Sequence, residues 1–268
     1  MEKAIDKIRT DYPVVMHNNL IWAQEKLTLA ATKLLRFLIM QVLYEDTEFS
    51  VCHLSAAQFS EACGISRSNV YRDAEKICEE LMKGVLTIRD SKGTASWHCK
   101  EETWKKFQYV SKASYSSGKF CLQLHDDLRP YLLQLKNLYT TYYYSDIMCM
   151  KSTFSIRIYE MLRCGMMDGS RSSIDTIHEV DIYCNDVIRA CSIGEKYNTS
   201  MLRSRVIERA IEEINSNTGY CILPIRKEDY IKKANRIVGY RLRIVSAYSP
   251  EGRKYLGQIT SANKKRRV

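Results

Sequence analysis

The chain has 268 residues, 45% of them apolar, with only 11 Gly and 4 Pro and a formal net charge of +10. That length suggests roughly one or two domains, and the composition excludes a disordered or low-complexity chain. The opening MEKAIDKIRTDYP lacks the apolar run of a signal peptide, and the most apolar stretch, LLRFLIMQVLY, is too short to cross a bilayer and contains Arg36; the expectation is a soluble cytosolic protein with no membrane partner.

LTLAATKLLRFLIMQVLY (27–44) sets Leu29, Leu34, Leu35, Leu38 and Val42 at helical spacing, with Thr28 as its N-cap. A β-like stretch EFSV (48–51) follows, then a short helical segment within LSAAQFSEACGI (54–65) that stops at Gly64. A second helix, SNVYRDAEKICEELM (68–82), turns Val70, Ala74, Ile77 and Leu81 to one side. VLTIRD, TASWHC, FQYVSKASY and KFCLQL read as strands separated by SKG and SSGK turns. Asp126 and Asp127 mark a helix start before LRPYLLQL.

The same order then repeats. STFSIRIYEMLRCGMM (152–167) is a helix with Phe154, Ile158, Met161 and Leu162 on one face, and IHEVDI (177–182) is a strand. IYCNDVIRACSI (182–193) aligns without gaps on residues 54–65, matching Phe59 with Val187, Ala62 with Ala190, Cys63 with Cys191 and Ile65 with Ile193. After a longer turn through GEKYNT comes SMLRSRVIERAIEEIN (200–215), with Leu202, Val206, Ala210 and Ile214 as its core stripe. YCILPIRK and IVGYRLRIV then flank a basic loop, EDYIKKANR. Helix, strand, helix, turn, helix, hairpin is the order of a winged helix. The predicted fold class is therefore α+β, with two tandem winged-helix domains of similar topology at 1–136 and 137–248. A basic, flexible tail is expected at 249–268.

The charge is one-sided. From Arg226 to the end 13 Lys and Arg face Glu228, Asp229 and Glu251, whereas the first 225 residues balance at 28 of each sign. Such a field suits a polyanion. In a helix-turn-helix the start of the second helix reaches base edges, which nominates Arg67, Ser68, Asn69, Tyr71 and Arg72 in the first copy. The second copy offers Ser200, Arg203, Ser204, Arg205 and Arg209. Arg pairs bidentately with guanine and Asn with adenine. Lys232, Lys233 and Arg236 in the hairpin suit phosphates, so the second copy is expected to bind DNA more strongly. An ordinary solvated helix face remains the alternative for any one of these residues.

No chemistry competes. The ten cysteines form no CxxC pair, and no Cys/His set has zinc spacing. Cys63, Cys78 and Cys191 fall on apolar helix faces, as reduced core thiols would. The five His (17, 53, 98, 125 and 178) make no His-hydrophobic-His metal motif to serve a nicking tyrosine, and Tyr142, Tyr143 and Tyr144 read as strand pairing. No GxxxxGK[ST] is present. The expectation is a protein that is not an enzyme, with no catalytic residue, metal or cofactor.

Three blocks, VVMHNNLIWAQEKLTLAATKLLRFLIMQV, SIRIYEMLR and SRVIERAIEEIN, resemble the initiator replication proteins of iteron-containing bacterial plasmids from about Val14 to Val245. The resemblance implies two winged-helix domains that each contact a major groove of double-stranded origin repeats. It implies monomers that bind direct repeats and promote origin opening. It also implies dimers, joined through the N-terminal domain, that repress the initiator's own gene at an inverted repeat. Arg203 and Arg205 fall in the basic positions of the family's KxR-like pattern, with Ser204 between them. Double-stranded DNA, a second copy exchanging between monomer and dimer, and host replication proteins are the partners expected in a bacterial cytoplasm. A tandem winged-helix repressor without an initiator role shares nearly every physical feature and stays open as an alternative, with a DNA-nicking rolling-circle initiator behind it.

Overall fold

The computed structural model describes residues 3–4, 12–89, 104–166, 176–194 and 197–265. TASWHC, the SKG turn, part of GEKYNT and the terminal RRV lie outside the described residues. The chain forms two compact units, one spanning Met1–Cys149 with Ala190–Ser192 and the other Met150–Arg189 with Ile193–Val268.

The first unit opens with β1 (Lys3–Ala4), β2 (Pro13–His17) and α1 (Asn18–Ile21). Helix α2 (Leu29–Met40) starts at Thr28, whose hydroxyl accepts from the Ala31 amide, as the sequence predicts. It stops at Met40 rather than Tyr44, because the Asp46 carboxylate takes the Leu43 amide at 2.8 Å, a local bond that competes with further helix. Every residue from Ala31 to Met40 is buried, including Arg36, which pairs with buried Glu25 at 2.9 Å. Strand β3 is Cys52–Ser55, not 48–51: Cys52 and Leu54 alternate inward, and pairing with β7 sets their register. Helix α3 (Ala56–Cys63) begins with a Ser55/Gln58 capping box and ends at Gly64, whose φ of +66° closes the turn. Helix α4 (Arg67–Lys83) buries the predicted Val70, Ala74, Ile77 and Leu81.

Strand β4 (Val85–Arg89) pairs with β5 (Trp104–Gln108). FQYVSKASY is broken at Tyr109, so β6 (Val110–Ser116) begins anew and forms a hairpin with β7 (Lys119–Leu124). The hairpin turns at Ser117 and Gly118, both at positive φ. The sheet order is β1-β3-β7-β6. A 3-10 turn at Asp126–Leu128 leads into the short α5 (Arg129–Leu132).

The boundary expected at 136/137 moves to 149/150. Strand β8 (Tyr139–Tyr143) pairs antiparallel with β2, from Pro13 opposite Tyr143 to His17 opposite Tyr139. In α6 (Tyr144–Met148) the buried Tyr144 hydroxyl donates to the carbonyl of Ala62 in α3 at 2.5 Å, with the carbonyl of Lys33 in α2 alongside at 3.3 Å. The aromatic run therefore completes the first unit.

In the second unit α7 (Thr153–Met166) is buried on nearly all sides and leads to β9 (His178–Tyr183) and α8 (Cys184–Ala190). The next helix is continuous but not uniform: α9 (Thr199–Leu202), a π-helical turn at Arg203–Ile207, then α10 (Glu208–Asn217). Leu202, Val206, Ala210 and Ile214 are buried as predicted, and the extra residue of the π turn buries Ile207 and Ile211 as well. YCILPIRK is strand only at β10 (Tyr220–Ile222), and EDYIKKANR is not a loop. β11 (Tyr230–Lys233) and β12 (Arg236–Ser246) meet through Ala234 and Asn235, both left-handed, in a two-residue hairpin turn. β12 pairs with β9 on one side and with β11 and β10 on the other. The expected flexible tail is instead α11 (Pro250–Lys265), with Tyr255 and Leu256 packed on Cys221, Leu223 and Val245.

Candidate nucleic-acid interface

In the first unit the α3–α4 turn presents Arg67, Ser68, Tyr71 and Arg72 to solvent, while Asn69 is half-buried. Arg72 is not an unengaged cation: its guanidinium donates to both Asp73 oxygens at 2.8 and 2.9 Å, and these bonds hold the Asp73 carboxyl below its usual range. The Tyr71 ring meets Tyr115 of β6 edge-on at 6.0 Å. Behind them α4 and β6 enclose a groove of about 480 Å³, lined by Glu75, Cys78, Glu79, Met82, Ala113 and Phe120 among others. Sequence reasoning missed Tyr115 and this groove, because strand pairing alone decides which face of β6 meets α4.

In the second unit Asn198 caps α9, accepting from the Met201 amide at 2.8 Å. Ser200, Ser204, Arg205 and Arg209 are exposed on the helix, and Ser204 bonds back to the Ser200 carbonyl at 3.1 Å. Arg203 is turned away from them. Its Nε donates to Glu208 at 2.8 Å, its Nη1 donates to the Tyr230 hydroxyl, and its guanidinium lies 5.3 Å from the Tyr230 ring centre. The structure thus separates Arg203 from Arg205, which the sequence had grouped.

The hairpin tip carries Lys232, Lys233 and Arg236, all exposed and in no ion pair among the described residues. Lys233 and Arg236 are direct cross-strand partners. Like charges in that relation cost stability in the free protein, and a polyanion relieves the cost. The cations further along β12 are spent internally: Arg241 pairs with Asp181 at 2.8 Å and Arg243 with Asp229 at 3.3 Å. The positive charge left over is concentrated at the tip.

The profile described as "Initiator Replication protein, WH1" matches residues 13–163, and "Initiator Rep protein, WH2" matches residues 188–244. The chain belongs to the initiator replication protein family. Its two units are accordingly tandem winged-helix domains, with α4 and α9–α10 as their second helices and β6–β7 and β11–β12 as wings. An Escherichia coli protein named "Replication initiation protein" is 32% identical over 107 residues, 39% of this initiator and 30% of the relative. The match therefore spans less than a third of that relative's length. A crystal structure of Pi initiator protein in complex with iteron DNA superposes with a TM-score of 0.65 at 16% identity, covering 90% of this chain and 100% of that one. At that identity the likeness is one of fold.

Proposed function

We propose that this initiator binds double-stranded origin repeats of a bacterial plasmid through both winged-helix domains, the second supplying most of the affinity. The observation that carries the reading is the second domain's surface. Arg205 and Arg209 stand on the recognition helix, and Lys232, Lys233 and Arg236 crowd the tip of the adjoining wing without acidic partners among the described residues. Arg on a helix suits base edges and Lys on a wing suits phosphate. Ser200 and Ser204 add short hydrogen-bonding groups to the same helix face. Arg67, Ser68, Asn69, Tyr71 and Arg72 give the first domain a weaker, auxiliary contact.

In this reading the monomer promotes origin opening and recruits host replication proteins. A dimer formed through the first domain represses the chain's own gene. No strand is cut: Tyr142 and Tyr144 are buried, and the exposed Tyr143 lies in a paired strand. The testing experiment is footprinting on the DNA flanking the gene. Several direct repeats, spaced by roughly one and a half to two turns of about 10 base pairs, are expected. A lone protected palindrome favours a repressor instead. Nicking of supercoiled origin DNA that disappears with Tyr143→Phe restores the rolling-circle reading.

A further inference from the structure

We propose that Arg203 is a positioning residue that fastens the recognition helix to the wing through Tyr230, and contacts neither base nor phosphate; this rests on the DNA-binding reading above. Arg203 opens the π turn, and the Glu208 amide donates to the Arg203 carbonyl across it. In a π turn residues five apart face each other, and the side chains of Arg203 and Glu208 use that spacing, with Nε 2.8 Å from Oε1. One pair is thus joined through both backbone and side chain, where a regular α-helix would place neighbours three or four apart.

The rest of the guanidinium is spent on the wing. Nη1 donates to the Tyr230 hydroxyl, and Cζ lies 5.3 Å from the Tyr230 ring centre and 6.0 Å from the Tyr240 ring centre. Those two rings are cross-strand partners, perpendicular at 5.7 Å. Burial pushes the Tyr240 phenol up to about 12, so this ring stays neutral beneath the cation. Tyr230 begins the strand that carries Lys232 and Lys233, so its anchor sets where the wing cations stand relative to the recognition helix. Arg205, two residues on, is exposed and takes no part in this cluster. A planar, multiply bonded guanidinium set against two aromatic rings is not replaceable by Lys, whereas a simple phosphate contact is.

The test uses the full chain and the repeat recovered by footprinting, titrated at several salt concentrations, with thermal unfolding checked for each variant. Arg203→Ala and Tyr230→Phe should each weaken repeat binding about tenfold, and the double variant should be no weaker than the worse single one, because coupled groups fail together. Arg203→Lys should behave like Arg203→Ala. The salt slope should stay at the wild-type value in all of them, whereas a lost phosphate contact lowers it by about 0.9. Tyr230→Phe, which keeps the ring and removes one hydroxyl, keeps the test decisive if Arg203→Ala unfolds. Additive losses overturn the proposal, as does a lowered slope rescued by Lys, or relaxed preference at a single base pair. A wild-type chain with no preference for any repeat sinks the initiator reading itself; wild-type preference with additive variants sinks only the role given to Arg203.

Discussion

Arg157 and Glu160 form an ion pair one turn apart inside α7, with 2.8 Å between Nη1 and Oε2 and exposures of 1% and 0%. Both belong to the SIRIYEMLR block, two of whose three charged letters are therefore interior, while Arg163 is half-buried. Breaking a buried pair by removing one partner costs about 3–5 kcal/mol, while replacing both with apolar residues of similar volume is far milder. Glu160→Ala should lower stability in urea by that amount, and Arg157→Met with Glu160→Leu should recover most of it. Equal losses in the single and double variants would show that the pair itself adds net stability.

That pair also marks how far the sequence could be read. Periodicity found both helix-turn-helix cores, because Val70, Ala74, Ile77 and Leu81, and Leu202, Val206, Ala210 and Ile214, follow the helical spacing that burial demands. It misplaced features set by pairing across distance. Strand Cys52–Ser55 takes its register from β7. Tyr139–Tyr143 looked like the start of a second domain, yet β2, over a hundred residues earlier by number, holds it in the first. The wing was recognised by its charge, but a bulge between Ile231 and Lys232 shifts the register so that Tyr230 faces Tyr240. Neither the bulge nor the π turn leaves a trace in residue type, so Arg203 could not be told from Arg205. The Ser55/Gln58 capping box is legible in the sequence as S-x-x-Q.

Gly239 sits where β12 is flanked by β9 and β11. A Cβ there would stand 2.5 Å from the Ile182 carbonyl and 3.2 Å from the Tyr183 Cα, both backbone atoms that cannot swing aside. Gly239→Ala should therefore cost about 1–3 kcal/mol as an overpacked site, read as a lowered midpoint of thermal unfolding. Gly118, at the exposed tip of the other wing with no atom of the described residues within 4 Å of its missing Cβ but a φ of +78°, should lose less on change to Asn, which tolerates that conformation. A reversed order would mean that wing turns, not the β9–β12 pairing, limit stability.

The first domain carries sheet edges that a twin could extend, above all β6 at the end of the β1-β3-β7-β6 order. The proposed dimer should form there. Sedimentation of the full chain should show concentration-dependent dimerisation, and a fragment beginning at Met150 should remain a monomer that binds the repeat. A dimeric fragment would move the self-association surface to the second domain.

Arg205 and Lys233 should divide the work of DNA binding by kind rather than amount. Arg205 is exposed on the recognition helix, within its first two turns, while Lys233 sits at the hairpin tip opposite Arg236. Losing a base-reading Arg costs about 1–3 kcal/mol and relaxes preference at one position, whereas losing a phosphate-bound Lys weakens all sequences alike and lowers the salt slope by about 1. Removing Lys233 also relieves its like-charge contact with Arg236, so Lys233→Ala should raise the stability of the free protein slightly even as it weakens binding. Repeat and scrambled duplexes are to be titrated against Arg205→Ala and Lys233→Ala at several salt concentrations. Arg205→Ala should narrow the gap between the two duplexes with little change in slope, and Lys233→Ala should keep the gap and flatten the slope. If Arg205→Ala loses both duplexes equally while Lys233→Ala loses only the repeat, the wing reads sequence and the helix grips the backbone, the reverse of the arrangement proposed.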